Sequence, residues 1–233
     1  MIEFSANFSN ELIELLQTIH LVKKVQKGQY LFQEGNAAAE LYFVIEGKVQ
    51  VGKIFPDGRE LTLRLCSAGE IVGELSLFAD KTIHSQTAKV VEDGRVAIIY
   101  KSELEDQLAK NMPLAIEFIK WMTDIHRKTQ AKLRDLLLNG KKGALFSTLI
   151  RLANSYGVHS SEGTIINHAL TNQELANFCG TSREVINRLL GELKKEKVIS
   201  QDKKNGLITI HDLEYLRIEI DCENCGIDIC NIE

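Results

Sequence analysis

The chain has 233 residues, of which 44% are hydrophobic and 26% are charged, and its net charge at pH 7 is −4. These values are ordinary for a folded globular protein and exclude a disordered chain. With so small a net charge, the overall charge gives no indication of nucleic-acid binding. That question depends on local clusters of basic residues.

The first 20 residues, MIEFSANFSNELIELLQTIH, are acidic and amphipathic, with no basic start and no uninterrupted apolar core. They predict a helix rather than a signal peptide, and no later segment is long enough to cross a bilayer. We therefore expect a cytoplasmic protein with no membrane partner, in which the five cysteines stay reduced.

Residues 24–100 read as short strands separated by turns. The segment ELYFVIEGKVQVGKI alternates apolar and polar residues and is interrupted by Gly47 and Gly52. A turn follows at FPDGRE, and LTLRLCSAG and RVAIIYKSEL are further strands. Many short strands at regular spacing predict a compact β-roll.

The apolar pattern changes after Ser102 to steps of three and four residues, which predicts helix. Pro113 suits the first turn of a long helix, and Asn139-Gly140 suits its end. A helix of roughly 25 residues is long for a small domain. We predict that its stripe packs partly on the roll and partly on a second copy, as a coiled-coil homodimer. The stripe comprises Ala115, Phe118, Ile119, Met122, Ile125, Thr129, Leu133 and Leu136.

The segment LTNQELANFCGTSREVINRLLGELKKEKVI predicts a helix-turn-helix that follows a further helix at GALFSTLIRLANSYG. Thr171 and Glu174 have the spacing of a capping box. Cys179-Gly180 suits the end of the first helix, and Thr181 or Ser182 caps the second. Asn205-Gly206, between two β-favouring runs, predicts a two-residue hairpin.

The second helix of this motif presents four polar side chains on one face: Arg183, Glu184, Asn187 and Arg188. Arginine pairs bidentately with guanine, and glutamate accepts from cytosine N4. Basic residues that suit phosphate contacts follow at Lys194, Lys195, Lys197, Lys203 and Lys204. A solvated charged face would explain the charges alone, but the caps, the glycine, the hairpin and the basic cluster coincide, which favours DNA binding.

The chain ends in DCENCGIDICNIE, with cysteines at Cys222, Cys225 and Cys230. Two intervening residues let the first two sulfurs face one metal, and we expect Gly226 to let the chain curl back with the third. Such spacing occurs in iron–sulfur proteins, and Cys-x2-Cys pairs occur in zinc sites. A redox pair that forms a disulfide is a further alternative. Cys66 and Cys179 read instead as buried small hydrophobes.

A β-roll, a long helix and a winged helix-turn-helix in this order resemble the Crp/Fnr family of bacterial transcription regulators, most sharply at GELSLF (Gly73–Phe78) and TSREVINRLL (Thr181–Leu190). The resemblance implies an α+β fold with a cyclic-nucleotide-binding-like β-roll (1–110), a dimerisation helix (111–139), a winged helix-turn-helix (140–212) and a cysteine-bearing tail (213–233). It also implies a homodimer, RNA polymerase as a partner, and a DNA palindrome with TGTGA-like half-sites. The DNA-binding residues expected on this basis are Thr181, Ser182, Arg183, Glu184, Asn187, Arg188, Lys203 and Lys204.

The nucleotide-binding cassette of the cyclic-AMP branch is only partly matched. Gly73-Glu74 and Ser85 are present, but His84 stands where that branch has arginine. Histidine is mostly neutral at pH 7 and offers one donor, so a cyclic nucleotide would lose a charge-assisted bond worth about 1.5–3 kcal/mol. A cyclic-nucleotide-responsive regulator is therefore the less favoured alternative.

The cysteine tail resembles that of the bacillus-type Fnr branch, in which three cysteines of this spacing and an aspartate near the end of the long helix hold a [4Fe-4S] cluster. The resemblance implies Cys222, Cys225, Cys230 and Asp135 as ligands, with Asp124 and His126 further from the helix end. Structural zinc on the same residues stays open as an alternative. No nucleophile–base pair or carboxylate dyad is present in the sequence, so we expect no enzyme. The resemblance implies an oxygen- or redox-sensing regulator of anaerobic genes.

Overall fold

The computed structural model describes Leu12 and residues 21–232, so the helix predicted at the N-terminus lies almost entirely outside the described residues. The chain forms two compact units. The first comprises Met1–Pro56 with Leu63–Thr123, and the second comprises Asp57–Thr62 with Asp124–Glu233. In the part of the chain that is described, no helix combines the length and the apolar character that a membrane span needs.

The strands of the first unit form an antiparallel sheet in the order β1-β6-β3-β4, with β2 paired to β6 and β5 to β3. Their apolar side chains enclose a core that includes Phe32, Val44 and Val96. The strands are β1 (Leu21–Val25), β2 (Tyr30–Phe32), β3 (Glu40–Ile54), β4 (Glu60–Cys66), β5 (Ile71–Val72) and β6 (Thr87–Tyr100). The β-rich first unit expected from the sequence is confirmed.

Gly47 marks an irregularity inside β3 rather than the end of a strand. Its φ is +86°, and a Cβ there would lie 2.6 Å from the carbonyl oxygen of Asp93. The pairing of β3 with β6 shifts register on both sides of this position. Glycine is therefore required where the two backbones approach closely, and the strand continues beyond it.

The helices are α1 (Lys101–Lys110), α2 (Met112–Leu138), α3 (Gly140–Tyr156), α4 (Asn172–Phe178), α5 (Arg183–Lys195) and α6 (Leu213–Ile218). The long helix α2 has 27 residues and carries Pro113 in its first turn, as predicted. Helix α3 is buried on all sides over residues 143–153, so it is the central helix of the second unit. Two polar side chains, Ser147 and Arg151, are buried within that stretch.

A second antiparallel sheet, in the order β7-β8-β10-β9, belongs to the second unit. Its strands are β7 (Gly157–Ser160), β8 (Gly163–Ile166), β9 (Ile199–Gln201) and β10 (Ile208–Ile210). The two-residue hairpin predicted at Asn205-Gly206 is wrong, because Gln201 pairs with Ile208 and a wider turn joins them. Within that turn the Asn205 side chain accepts a hydrogen bond from the Leu207 amide at 3.0 Å.

Candidate metal centre and DNA-binding face

The cysteine tail, residues 219–232, turns back on itself after α6. Asp221 and Asn224 have φ of 47° and 51°, a left-handed conformation that aspartate and asparagine tolerate. Gly226, expected to permit the curl, has φ outside that range, and a Cβ there would lie 2.2 Å from Asp228 Oδ1. Glycine is thus needed at this position for space rather than for backbone freedom. The Gly226 carbonyl accepts the amides of Ile229 and Cys230, which returns the third cysteine.

The three tail cysteines come together as free thiols. Cys222 and Cys225 are half-buried, and Cys230 is buried. The Cys225 and Cys230 thiols share a hydrogen bond, and Cys222 lies close enough to interact electrostatically with Cys230. Burial raises the pKa of the Cys230 thiol to about 11, and the guanidinium of Arg151 acts in the opposite direction. Cys225 and Cys230 are therefore in contact, with Cys222 nearby.

Asp135 is buried on α2, with 4% of its surface exposed, and both carboxylate oxygens have partners. Oδ1 accepts hydrogen bonds from Arg134 Nε at 3.0 Å and Nη2 at 2.7 Å. Oδ2 accepts from the Ser147 hydroxyl and from Arg151 Nη2 at 3.3 Å. The other carboxylate and imidazole considered in the sequence, Asp124 and His126, are exposed.

The same two arginines also reach the tail. Arg134 Nη1 lies 2.5 Å from a Glu223 carboxylate oxygen, between the first two cysteines. Arg151 Nη1 donates to the Ile229 carbonyl at 2.9 Å, immediately before the third. A cavity of about 440 Å³ lies between α2 and the tail, lined in part by Arg127, Arg134 and Cys225.

The donor set fits a metal only in part. Among residues 21–232 and Leu12, no three His, Cys, Asp or Glu side chains are arranged to hold a metal ion. Three clustered thiols suit an iron–sulfur cluster or zinc chemically. Asp135, by contrast, is occupied by two guanidinium groups and a hydroxyl, so it is not an available donor in this conformation.

The sequence analysis did not identify Arg134, Ser147 or Arg151 as residues of this site. The polar residues at 147 and 151, four apart in an otherwise apolar helix, are the sequence signal by which two of them could have been found.

The helix-turn-helix has the caps that were predicted. Thr171 and Glu174 form the capping box at α4, which stabilises a helix end by about 1 kcal/mol. Gly180 has φ of +57° in the turn, and the Ser182 hydroxyl accepts the Val185 amide at the start of α5. These local bonds set the angle at which α5 leaves the turn.

Helix α5 buries one face and exposes the other. Ile186, Leu189 and Leu190 are buried, whereas the side chains predicted to read bases, Arg183, Glu184, Asn187 and Arg188, are all exposed. Lys203 and Lys204 are exposed in the connection between β9 and β10, and Ser182 is exposed at the cap. The Thr181 hydroxyl oxygen is buried, away from this surface.

Comparison with known proteins identifies both units. Residues 22–111 match the cyclic nucleotide-binding domain, and residues 144–218 match the Crp-like helix-turn-helix domain. The chain is 53% identical to the anaerobic regulatory protein of Bacillus subtilis, over 97% of this chain and 94% of that protein. The chain belongs to the Crp/Fnr family of transcription regulators.

The chain is also similar to a more distant regulator and to a solved structure of the same fold. The CRP-like cAMP-activated global transcriptional regulator of Mycobacterium tuberculosis is 28% identical over 78% of this chain and 81% of its own length. A CooA mutant from Carboxydothermus hydrogenoformans has the same fold, with a TM-score of 0.77 at 17% identity, covering 93% of this chain and 97% of its own. The α+β fold and the DNA-binding regulator expected from the sequence are confirmed, and the family is one of regulators rather than enzymes.

In this Crp/Fnr chain two residues of the nucleotide cassette, Glu74 and His84, are buried against other side chains of the first unit. Glu74 is buried and forms an ion pair with Arg64 Nη1 at 3.0 Å. His84 is buried, with its ring stacked on Phe32 at a centroid distance of 3.6 Å. Burial lowers the pKa of His84, which favours the neutral ring. Ser85 is exposed.

Proposed function

We propose that this Crp/Fnr regulator senses oxygen through a [4Fe-4S] cluster held by Cys222, Cys225, Cys230 and Asp135, and that it controls anaerobic genes. As the fourth ligand, Asp135 would exchange its bonds to Arg134, Ser147 and Arg151 for the iron. The observation that carries the proposal is the contact between the Cys225 and Cys230 thiols, with Cys222 near enough to interact electrostatically with Cys230, on a tail docked against α2 and α3. The name of the Bacillus subtilis relative, an anaerobic regulatory protein, supports the same reading.

The position of the tail explains how sensing would reach the DNA-binding residues. The tail follows α6, within the second unit that carries the recognition helix α5, and it contacts α2 through Arg134 and α3 through Arg151. When bound, an iron–sulfur cluster supplies a connection that reaction with oxygen destroys. While the cluster is intact, the tail stays docked and restrains α2 relative to α3. When oxygen destroys the cluster, the tail is released and this restraint is lost.

The proposed regulator acts as a homodimer through the stripe of α2. Two large apolar side chains of that stripe, Ile119 and Leu133, are 63% and 53% exposed in a single chain. Exposed apolar surface at heptad-like spacing suits a partner helix, and Crp-family regulators form dimers. A two-fold axis would place two copies of α5 on a palindrome of TGTGA-like half-sites, with RNA polymerase as a further partner.

Oxygen is expected to weaken DNA binding by the anaerobically prepared protein. We expect a loss of affinity of roughly 5- to 150-fold, the usual range of coupling between two sites. Fluorescence anisotropy with a TGTGA palindrome, before and after exposure to air, measures the change. Cys225→Ser should bind weakly in both states, whereas the matched control Cys66→Ser, in the core of the first unit, should respond like the wild type. Equal affinity before and after air would contradict the proposal.

Cyclic AMP is expected not to bind tightly, because Arg64 already neutralises Glu74 and the buried His84 offers no fixed charge to a phosphate. Calorimetric titration of the dimer should give a dissociation constant no tighter than about 1 mM, or −4.1 kcal/mol. A micromolar constant would restore the alternative of a nucleotide-responsive regulator.

A further inference from the structure

The tail is fixed at both ends of the cysteine motif. Near the first two cysteines it is held by Glu223, and before the third by the Ile229 carbonyl. Both attachments lead through an arginine to one carboxylate, Asp135. The result is a bridge in which a single buried anion orients two guanidinium groups toward the tail.

The exposed fractions of the three side chains show that Arg151 and Asp135 form the more rigid part of this bridge. The side chains of Arg151 and Asp135 are each 5% exposed, so neither can be satisfied by water. Arg151 uses three nitrogens on three partners: Nε on Ser147, Nη2 on Asp135 and Nη1 on Ile229. Lysine cannot reproduce this planar fork. The Arg134 side chain is 23% exposed and makes a weaker, outer attachment.

Charge supports the same arrangement. The carboxylates of Asp135 and Glu223 balance the two guanidinium groups. The Arg151 guanidinium also lies near the Cys230 thiol.

We infer that Arg134 and Arg151, oriented by Asp135, are positioning residues of the cysteine tail and help to hold it against α2 and α3. The significance of this role rests on the proposed function, since the tail matters as a metal site.

Alkylation of the full-length, reduced and metal-free protein tests the inference. Iodoacetamide labelling is followed at each cysteine by mass spectrometry, in the presence of a chelator. Arg151→Lys should speed labelling of the tail cysteines by about 10- to 100-fold, the effect of losing one bond to a buried charged group. Arg134→Gln should speed it by about 2- to 5-fold, since the ion pair with Glu223 is largely exposed. Cys66 and Cys179, buried in the first and second units, should label at unchanged rates.

The matched control is Arg127→Gln on the same helix, whose side chain is 58% exposed and pairs with Asp124 at 3.6 Å. It should leave all rates unchanged. The inference is overturned if the tail rates stay at wild-type values in both variants. It is equally overturned if all five cysteines rise together in both, since the arginines would then support folding in general. Because no iron is present, absence of a cluster in the native protein would refute the proposed function without changing this result.

Discussion

Replacing Arg188 by alanine is expected to abolish operator-specific binding while leaving the dimer intact. Its guanidinium is 64% exposed on the open face of α5, where it can reach guanine O6 and N7. A bidentate pair discriminates against a wrong base by about 1–3 kcal/mol, so two half-sites lose about 2–6 kcal/mol. Competition between a TGTGA palindrome and a scrambled duplex, at fixed salt, measures the specificity ratio.

The control for Arg188→Ala is Glu192→Gln, because Arg188 donates to Glu192 at 2.7 Å. Glu192→Gln removes the same ion pair but keeps the guanidinium, so specificity should persist. Lys203→Ala should instead weaken binding to all sequences alike and reduce the salt dependence, as expected of a phosphate contact. Unchanged specificity in Arg188→Ala would refute α5 as the recognition helix.

Loss of any tail thiol is expected to remove the metal. An intact [4Fe-4S] site carries about four irons per chain, and a three-thiol set cannot lose a ligand without losing most of its stability. Cys225→Ser purified without oxygen should therefore contain less than about one iron per chain. Cys179→Ser changes a thiol buried beside Thr148 in the helix-turn-helix and should keep the wild-type metal content.

The two thiols outside the tail are buried, one in each unit. Burial raises the pKa of Cys66 to about 12 and that of Cys179 to about 11, which keeps both as neutral thiols. Both therefore match the reading of buried small hydrophobes made from the sequence.

Local features were predictable because their causes are local. The capping box at Thr171, the left-handed Gly180 and the position of Pro113 depend on residues within one turn of each other. The hairpin formed by β7 and β8 was missed because strands of four residues, mostly exposed, show no clear alternation. At Asn205, side-chain bonding to the backbone stabilised a wider turn than the Asn-Gly pair indicated.

The candidate site was predictable in composition but not in its contacts. The spacing of the cysteines in the tail indicated three ligands. The arginines that hold the tail are distant from it in the sequence: Arg151, on α3, lies 78 positions before its partner Ile229, and Arg134 lies on α2. Such pairings arise from packing and leave no periodic signal. The buried Arg151 was visible only as a charge within the apolar run LFSTLIRLA.

The most direct test of the central claim is the metal content of the wild-type protein purified without oxygen. Iron, acid-labile sulfide and zinc are measured per chain, together with the visible absorption spectrum. An iron–sulfur sensor predicts a brown protein with about four irons and four sulfides per chain and little zinc. A colourless protein with about one zinc per chain would contradict it and establish the tail as a structural zinc site.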